Sequence, residues 1–167
     1  FSAMIKIIFK KKKLQQFTNN LLFILYIFLF CGIFLILSFH LQFKILIFLI
    51  LVICVASDIG GYVFGKIFKG KKLTKISPNK TISGSIGSLV FSGGSALIIV
   101  YYLTDKIDFF ILIVALVTSI ASQLGDLFFS FIKRKSKLED TGKYLPGHGG
   151  ILDRIDGILL GVPIGLL

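Results

Sequence analysis

Ser130-Phe131-Ile132-Lys133-Arg134 is followed, a few residues on, by Glu139-Asp140-Thr141-Gly142-Lys143-Tyr144-Leu145-Pro146-Gly147-His148-Gly149-Gly150-Ile151-Leu152-Asp153-Arg154-Ile155-Asp156. Four of the chain's eight acidic residues lie between Glu139 and Asp156, and a fifth, Asp126, stands just upstream. This charge interrupts two segments that are otherwise apolar enough to cross a bilayer. An ionisable residue near membrane depth costs roughly 2.5 to 3.5 kcal/mol on insertion scales, so Asp-Arg-x-Asp at the mouth of a hydrophobic helix marks a functional site. The apolar runs on either side decide the fold, an all-α, polytopic transmembrane helix bundle.

Composition points the same way. Hydrophobic residues make up 55% of the 167 and charged residues 16%, with a mean hydropathy of +0.92. A soluble domain of this size could hardly hide so much apolar surface. The net charge of +11 comes from Lys and Arg clustered between apolar runs. No aromatic residues interleave with them as an RNA-binding surface requires, so nucleic acid is not an expected partner. Cys31 and Cys54 sit inside apolar runs without metal-ligand companions and read as packing residues.

At about 20 apolar residues per membrane helix, the chain holds five spans: 20–39, 44–65, 86–104, 108–132 and one from about 151 to the end. Segment 1–19 is a basic cytoplasmic lead-in, and 20–167 is the transmembrane catalytic domain. The chain opens on Phe1 and stops inside an apolar run, so it reads as a piece of a longer protein. The first span follows Lys10 to Lys13 with no small-residue cleavage site, which makes it an anchor and not a removable signal. Segments 1–19, 66–85 and 133–150 are rich in Lys and Arg, whereas the intervening loops carry only Lys44 and Lys106. The positive-inside rule places the three basic segments in the cytoplasm, and with them any active site, at the cell's inner (plasma) membrane.

Three constellations converge on that face. In Ser57-Asp58-Ile59-Gly60-Gly61-Tyr62-Val63-Phe64-Gly65, residues Asp58, Gly61, Tyr62 and Gly65 share one helical face. Gly61 and Gly65 suit a close packing seam, which leaves Asp58 as a functional candidate. The loop Ile76-Ser77-Pro78-Asn79-Lys80-Thr81-Ile82-Ser83-Gly84-Ser85-Ile86-Gly87 opens a helix. Its N–H groups, Lys80 and the hydroxyls of Ser77 and Thr81 could hold phosphate, or it could be a solvated connection with an N-cap. The Walker spacing is absent. On span 108–132, Ser122, Gln123, Asp126, Ser130 and Lys133 form one polar stripe, and Asp153 and Asp156 share a face beyond the loop. Two helices could so present carboxylates to each other, as hard oxygen ligands for magnesium or as a structural network with Lys and Arg.

These residues resemble the phosphatidate cytidylyltransferases, or CDP-diacylglycerol synthases. That family's signature reads Ser-x-aliphatic-Lys-Arg, then Lys-Asp, then Pro-x-His-Gly-Gly-aliphatic-x-Asp-Arg-aliphatic-Asp. Ser130 to Asp156 departs from it at one specified position, where Glu139 stands for Lys. Ser-Asp-x-Gly-x-Tyr-x-x-Gly at 57–65, Ser-Pro-x-Lys-Thr at 77–81 and Ser-Gln-x-Gly-Asp at 122–126 agree as well, with Ser83 where the family commonly has Glu. The resemblance spans about 110 residues in the same order.

The resemblance implies that CTP and phosphatidic acid in the bilayer give CDP-diacylglycerol and pyrophosphate. It implies Asp126 and Asp153 as the metal-site carboxylates of a two-metal magnesium centre, with room for a monovalent cation. Asp126, Asp153, Lys133 and Asp156 would form the catalytic set. Ser130, Arg134, His148, Arg154, Lys80, Ser77 and Asp58 would bind substrate, with His148 in a tight turn near phosphate and not acting as a base. A homodimer is compatible with it. Two alternatives come from other classes: a CTP-dependent lipid kinase of the polyprenol or phytol type, which needs a base for its alcohol, and a cation carrier, which needs neither the Pro-Gly-His-Gly-Gly loop nor the phosphate-type cations.

Overall fold

The computed structural model describes residues 21–74, 77, 80–135 and 152–167, with the side chains of 152–154 left aside. It is helical: α1 Leu21–Ser38, α2 Leu41–Phe68, α3 Ile82–Thr104, α4 Phe109–Lys135 and α5 Leu152–Gly165. Among the described residues, α1 to α4 are long and apolar enough to cross a membrane. The fifth helix has 14 residues, about 21 Å at 1.5 Å per residue, less than the ~30 Å hydrocarbon core. Pro163 lies inside it, where the ring removes a backbone donor.

Helix ends depart from the expected spans because apolar runs stop at the first charge and helices do not. The second helix starts at Leu41, so Lys44 lies inside it and not in a loop, and it continues past Lys66 to Phe68. Long Lys side chains can keep their stems along apolar surface while the ammonium reaches polar surroundings. The third begins at Ile82, four residues earlier than its apolar run, because Thr81 caps it: the hydroxyl accepts from Gly84 N at 3.1 Å. At its far end Asp105 adopts a left-handed conformation (φ 53°) and donates its N–H to Tyr101 O at 2.8 Å. Asp108 Oδ1 then accepts from Phe110 N at 2.8 Å, opening α4.

Residues 1–43 and 44–167 form two compact units. Within the first, no residue of α1 is buried. The second is packed inside out by the standard of a soluble protein. Ala96 and Ala115 are wholly buried, with Ser57, Ser92, Thr118 and Ser119, while Ile98 is 70% and Tyr102 87% exposed. Large apolar side chains outside and small residues inside are what helices in lipid require, since contact there rests on close fit and not on expulsion of water. Leu49 and Ile53 of α2, Ala96 of α3 and Ala115 of α4 form the apolar part of this core.

Glycines decide how near the helices come. A Cβ on Gly60 would lie 2.5 Å from Gly87 O, and one on Gly87 would lie 2.4 Å from Phe64 Cβ and 2.8 Å from Gly60 O. Neither can be accommodated without parting α2 from α3. On α5, Gly157, Gly161 and Gly165 recur every four residues. Cβ atoms there would meet Ser122 Oγ at 2.6 Å, Cys54 Sγ at 2.8 Å and Thr118 Oγ1 at 2.5 Å. Gly87→Ala is therefore expected to lower thermal stability in detergent, at the 1–3 kcal/mol scale of about one overpacked methyl. Gly94→Ala, where nothing lies within 4 Å, should leave stability unchanged or raise it through helix propensity. Equal effects of the two would refute the close contact of α2 and α3.

Candidate active site

A cavity of about 440 Å³ opens where the end of α2, the start of α3, the second half of α4 and the start of α5 meet. Three carboxylates reach it from three helices: Asp58 from α2, Asp126 from α4 and Asp156 from α5. Each is there for a local reason. Asp58 shares its face with Gly61, whose lack of a side chain lets α3 approach: a Cβ at 61 would lie 2.7 Å from Ser88 Oγ. Asp126 follows Gly125, where a Cβ would lie 2.8 Å from Asp156 O. The bare glycine lets α5 settle against α4, bringing Asp156 beside Asp126 on the cavity wall.

Cations hold these like charges together. Lys80 Nζ donates to Asp126 Oδ2 at 2.8 Å, and Lys133 Nζ lies 3.9 Å from Asp156 Oδ2. Both pairs are largely withdrawn from solvent, and Asp156 Oδ1 also accepts from Gly157 N at 2.9 Å. The loop between α2 and α3 fixes Lys80. Leu73 N donates to Lys80 O at 2.8 Å, Ile82 N to Lys71 O at 2.9 Å, and Lys80 N to Ser77 O at 3.2 Å, folding the loop back on itself around a Lys72–Thr81 bridge. The loop is a capped connection, and it also places Ser77, Lys80 and Thr81 on the cavity wall.

Of the other expected site residues, Ser130 lines the cavity. Arg134 is exposed on the last turn of α4, away from the cavity wall. Asp153 and Arg154 fall in the first turn of α5, with side chains outside the description, and His148 lies outside the described residues. What the sequence reading missed is polar: Ser88 on the cavity wall and, behind it, the buried pair Ser57 and Ser119, whose hydroxyls are 2.8 Å apart. Ser119 stands four residues before Gln123, so following the polar stripe of α4 one turn further would have found it.

This arrangement can neutralise and orient polyanions. Helix α3 aims its first turn at the cavity, and N–H groups at a helix start attract phosphate. Asp126 and Asp156 offer adjacent hard oxygen donors that suit a divalent ion. Among the described residues, the three carboxylates line one cavity without lying close enough together to form a three-ligand metal site.

The chain is similar to phosphatidate cytidylyltransferases of several bacteria. It is 41% identical over 110 residues to that of Staphylococcus haemolyticus, covering 65% of this chain and 42% of the relative. With that of Staphylococcus aureus it shares 44% over 110 residues, with the same coverage, and with that of Mycobacterium leprae 39% over 114 residues, 68% of this chain and 36% of the relative. The chain thus spans about two-fifths of the length of these relatives. The profile of the cytidylyltransferase family matches residues 1–167, and the chain belongs to that family.

Proposed function

We propose that this chain carries the reaction centre of a phosphatidate cytidylyltransferase, joining CTP to phosphatidate at the cytoplasmic surface of the cell's plasma membrane. One observation supports this above others: three carboxylates, two of them paired with lysines, converge on a cavity at the basic end of a membrane helix bundle. That placement suits one reactant anchored in lipid and another arriving from water. The relatives' name supplies the two substrates.

In the reaction a phosphate oxygen of the lipid attacks the α-phosphorus of CTP. A new P–O bond forms, the α–β bridge breaks and pyrophosphate leaves. The nucleophile is already ionised near neutral pH, so no strong base is needed, and the chain's work is positioning and charge compensation. Lys80 and the first turn of α3 would take up phosphate oxygens, with the Ser77 and Ser130 hydroxyls as further donors. Lys133, with Arg134 beside it in the sequence and Arg154 at the start of α5, would receive phosphates at the mouth, with His148 of the Pro-Gly-His-Gly-Gly stretch. Asp126 and Asp156 offer hard oxygens of the kind magnesium takes; with Asp153 they would hold it, and when bound it would supply Lewis-acid stabilisation of the charge on the phosphoryl oxygens.

Incubating the membrane protein with CTP and phosphatidate should yield CDP-diacylglycerol and pyrophosphate in equal amounts. Release of CDP with phosphorylation of a lipid alcohol would identify a kinase instead, and transport of cations without turnover a carrier. Within the same assay, Lys133→Gln is expected to lower kcat/KM about tenfold, the scale of one charge-assisted contact. Lys135→Gln should change it little, because Lys135 is exposed and sits over the Phe131 ring, 6.0 Å from its centroid. Equal losses would point to a diffuse basic surface that gathers anionic lipid.

A further inference from the structure

Beneath the carboxylates lies a chain of hydrogen bonds that substrate binding does not call for. Gln123, on the cavity wall, accepts through Oε1 from Ser85 Oγ of α3 and donates through Nε2 to Ser119 Oγ at 3.4 Å. The Ser119 hydroxyl meets Ser57 Oγ of α2 at 2.8 Å, and Ser88 Oγ of α3 donates to Ser57 O at 2.7 Å. Ser57 and Ser119 are fully buried. Three helices are thus keyed together by one continuous polar path, with Ser85, Gln123 and Ser88 on the cavity wall.

The path runs beside three of the charged groups of the site. Ser57 adjoins Asp58 in sequence, Gln123 stands one turn before Asp126 on the same face of α4, and Ser85 lies in the first turn of α3, just after Lys80. Small residues let membrane helices approach closely, but a Gly-rich seam alone leaves them free to slide or rotate. A satisfied buried network allows one arrangement only. The reach of a glutamine matters here: an aliphatic residue of similar size would fill the space without fixing the register between α3 and α4.

We propose that Gln123 is a positioning residue for cytidylyl transfer, setting the register in which the first turn of α3, and Lys80 with it, meets Asp126. This rests on the function proposed above. It differs from substrate binding, since Gln123 spends its acceptor and a donor on protein partners, and from bulk stability, since the residue sits at the cavity edge and not in the dry centre.

The test compares Gln123→Leu, Ser85→Ala and their combination in the membrane protein, by kcat, by KM for CTP and by thermal stability. It adds the distance distribution between spin labels on Lys72→Cys, tied to the start of α3 through its bridge with Thr81, and Lys135→Cys at the end of α4, with Cys31 replaced by Ser. Gln123→Leu should lower kcat about tenfold, the effect of one lost hydrogen-bonded contact, with KM little changed and a broadened label distance. Ser85→Ala should act in the same direction, and the double variant should be no worse than Gln123→Leu.

Unchanged kcat and an unchanged distance, a defect in KM alone, or multiplied losses in the double variant would overturn the proposal. Should Gln123→Leu fail to fold, Ser85→Ala carries the test through the same two readouts. A wild-type protein that makes no CDP-diacylglycerol, but whose label distance broadens on Gln123→Leu, would overturn the functional reading and leave the positioning role standing.

Discussion

Asp126→Asn is expected to lower the formation of CDP-diacylglycerol by about 10²-fold or more, the loss that follows removal of one major electrostatic stabiliser. The substitution keeps the size of the side chain and removes its charge. Asp126 is the meeting point of the site: Lys80 donates to it at 2.8 Å, Asp156 shares its cavity, and a Cβ on Gly157 would come within 2.7 Å of its Oδ1. An amide there would still accept from Lys80 through oxygen but could not supply an anionic oxygen to a divalent ion. Folding should be spared, since the helix contacts at this level come from Gly125, Gly157 and Ser122. The decisive measurement is turnover per folded, membrane-inserted protein, and near-normal turnover would remove Asp126 from the centre.

The second large effect is expected at Asp58. Asp58→Asn should reduce turnover about 30-fold, between the loss of one charge-assisted hydrogen bond and that of a primary stabiliser, with normal yield and thermal stability. The carboxylate is exposed on the cavity wall and not buried in the helix seam, so no packing contact depends on its charge. Seam contacts on this stretch of α2 belong to Gly60, Gly61 and Gly65. A structural Asp58 would behave in the opposite way, with reduced yield or melting temperature and full activity in the surviving protein. Measuring both quantities on one purified variant separates the two roles.

Much of the bundle was legible in the residues because a lipid-embedded helix announces itself by length and apolarity. The polar stripe through Gln123, Asp126, Ser130 and Lys133 was legible for a related reason: helical period alone puts those side chains on one face. Partners across helices were not. Lys80 and Asp126 are 46 positions apart and Ser57 and Ser119 are 62 apart, and nothing in the period of either segment says which helix lies beside which. The beginning of α3 was misjudged for a different reason. Ser83, Gly84 and Ser85 are poor in apolarity, yet Thr81 and its bond to Gly84 N start the helix there.

The Lys80 link to Asp126 also has a bearing on timing. An ammonium group already lodged against a carboxylate is a placeholder: the site can keep its anionic oxygens poised while waiting for a reactant, without drawing α2, α4 and α5 apart by mutual repulsion. On the function proposed above, an arriving triphosphate would offer that ammonium a better-matched anion, and the lysine would pass from the aspartate to the newcomer. Exchange of one counter-ion for another would so convert the resting cavity into a loaded one with little movement of the backbone.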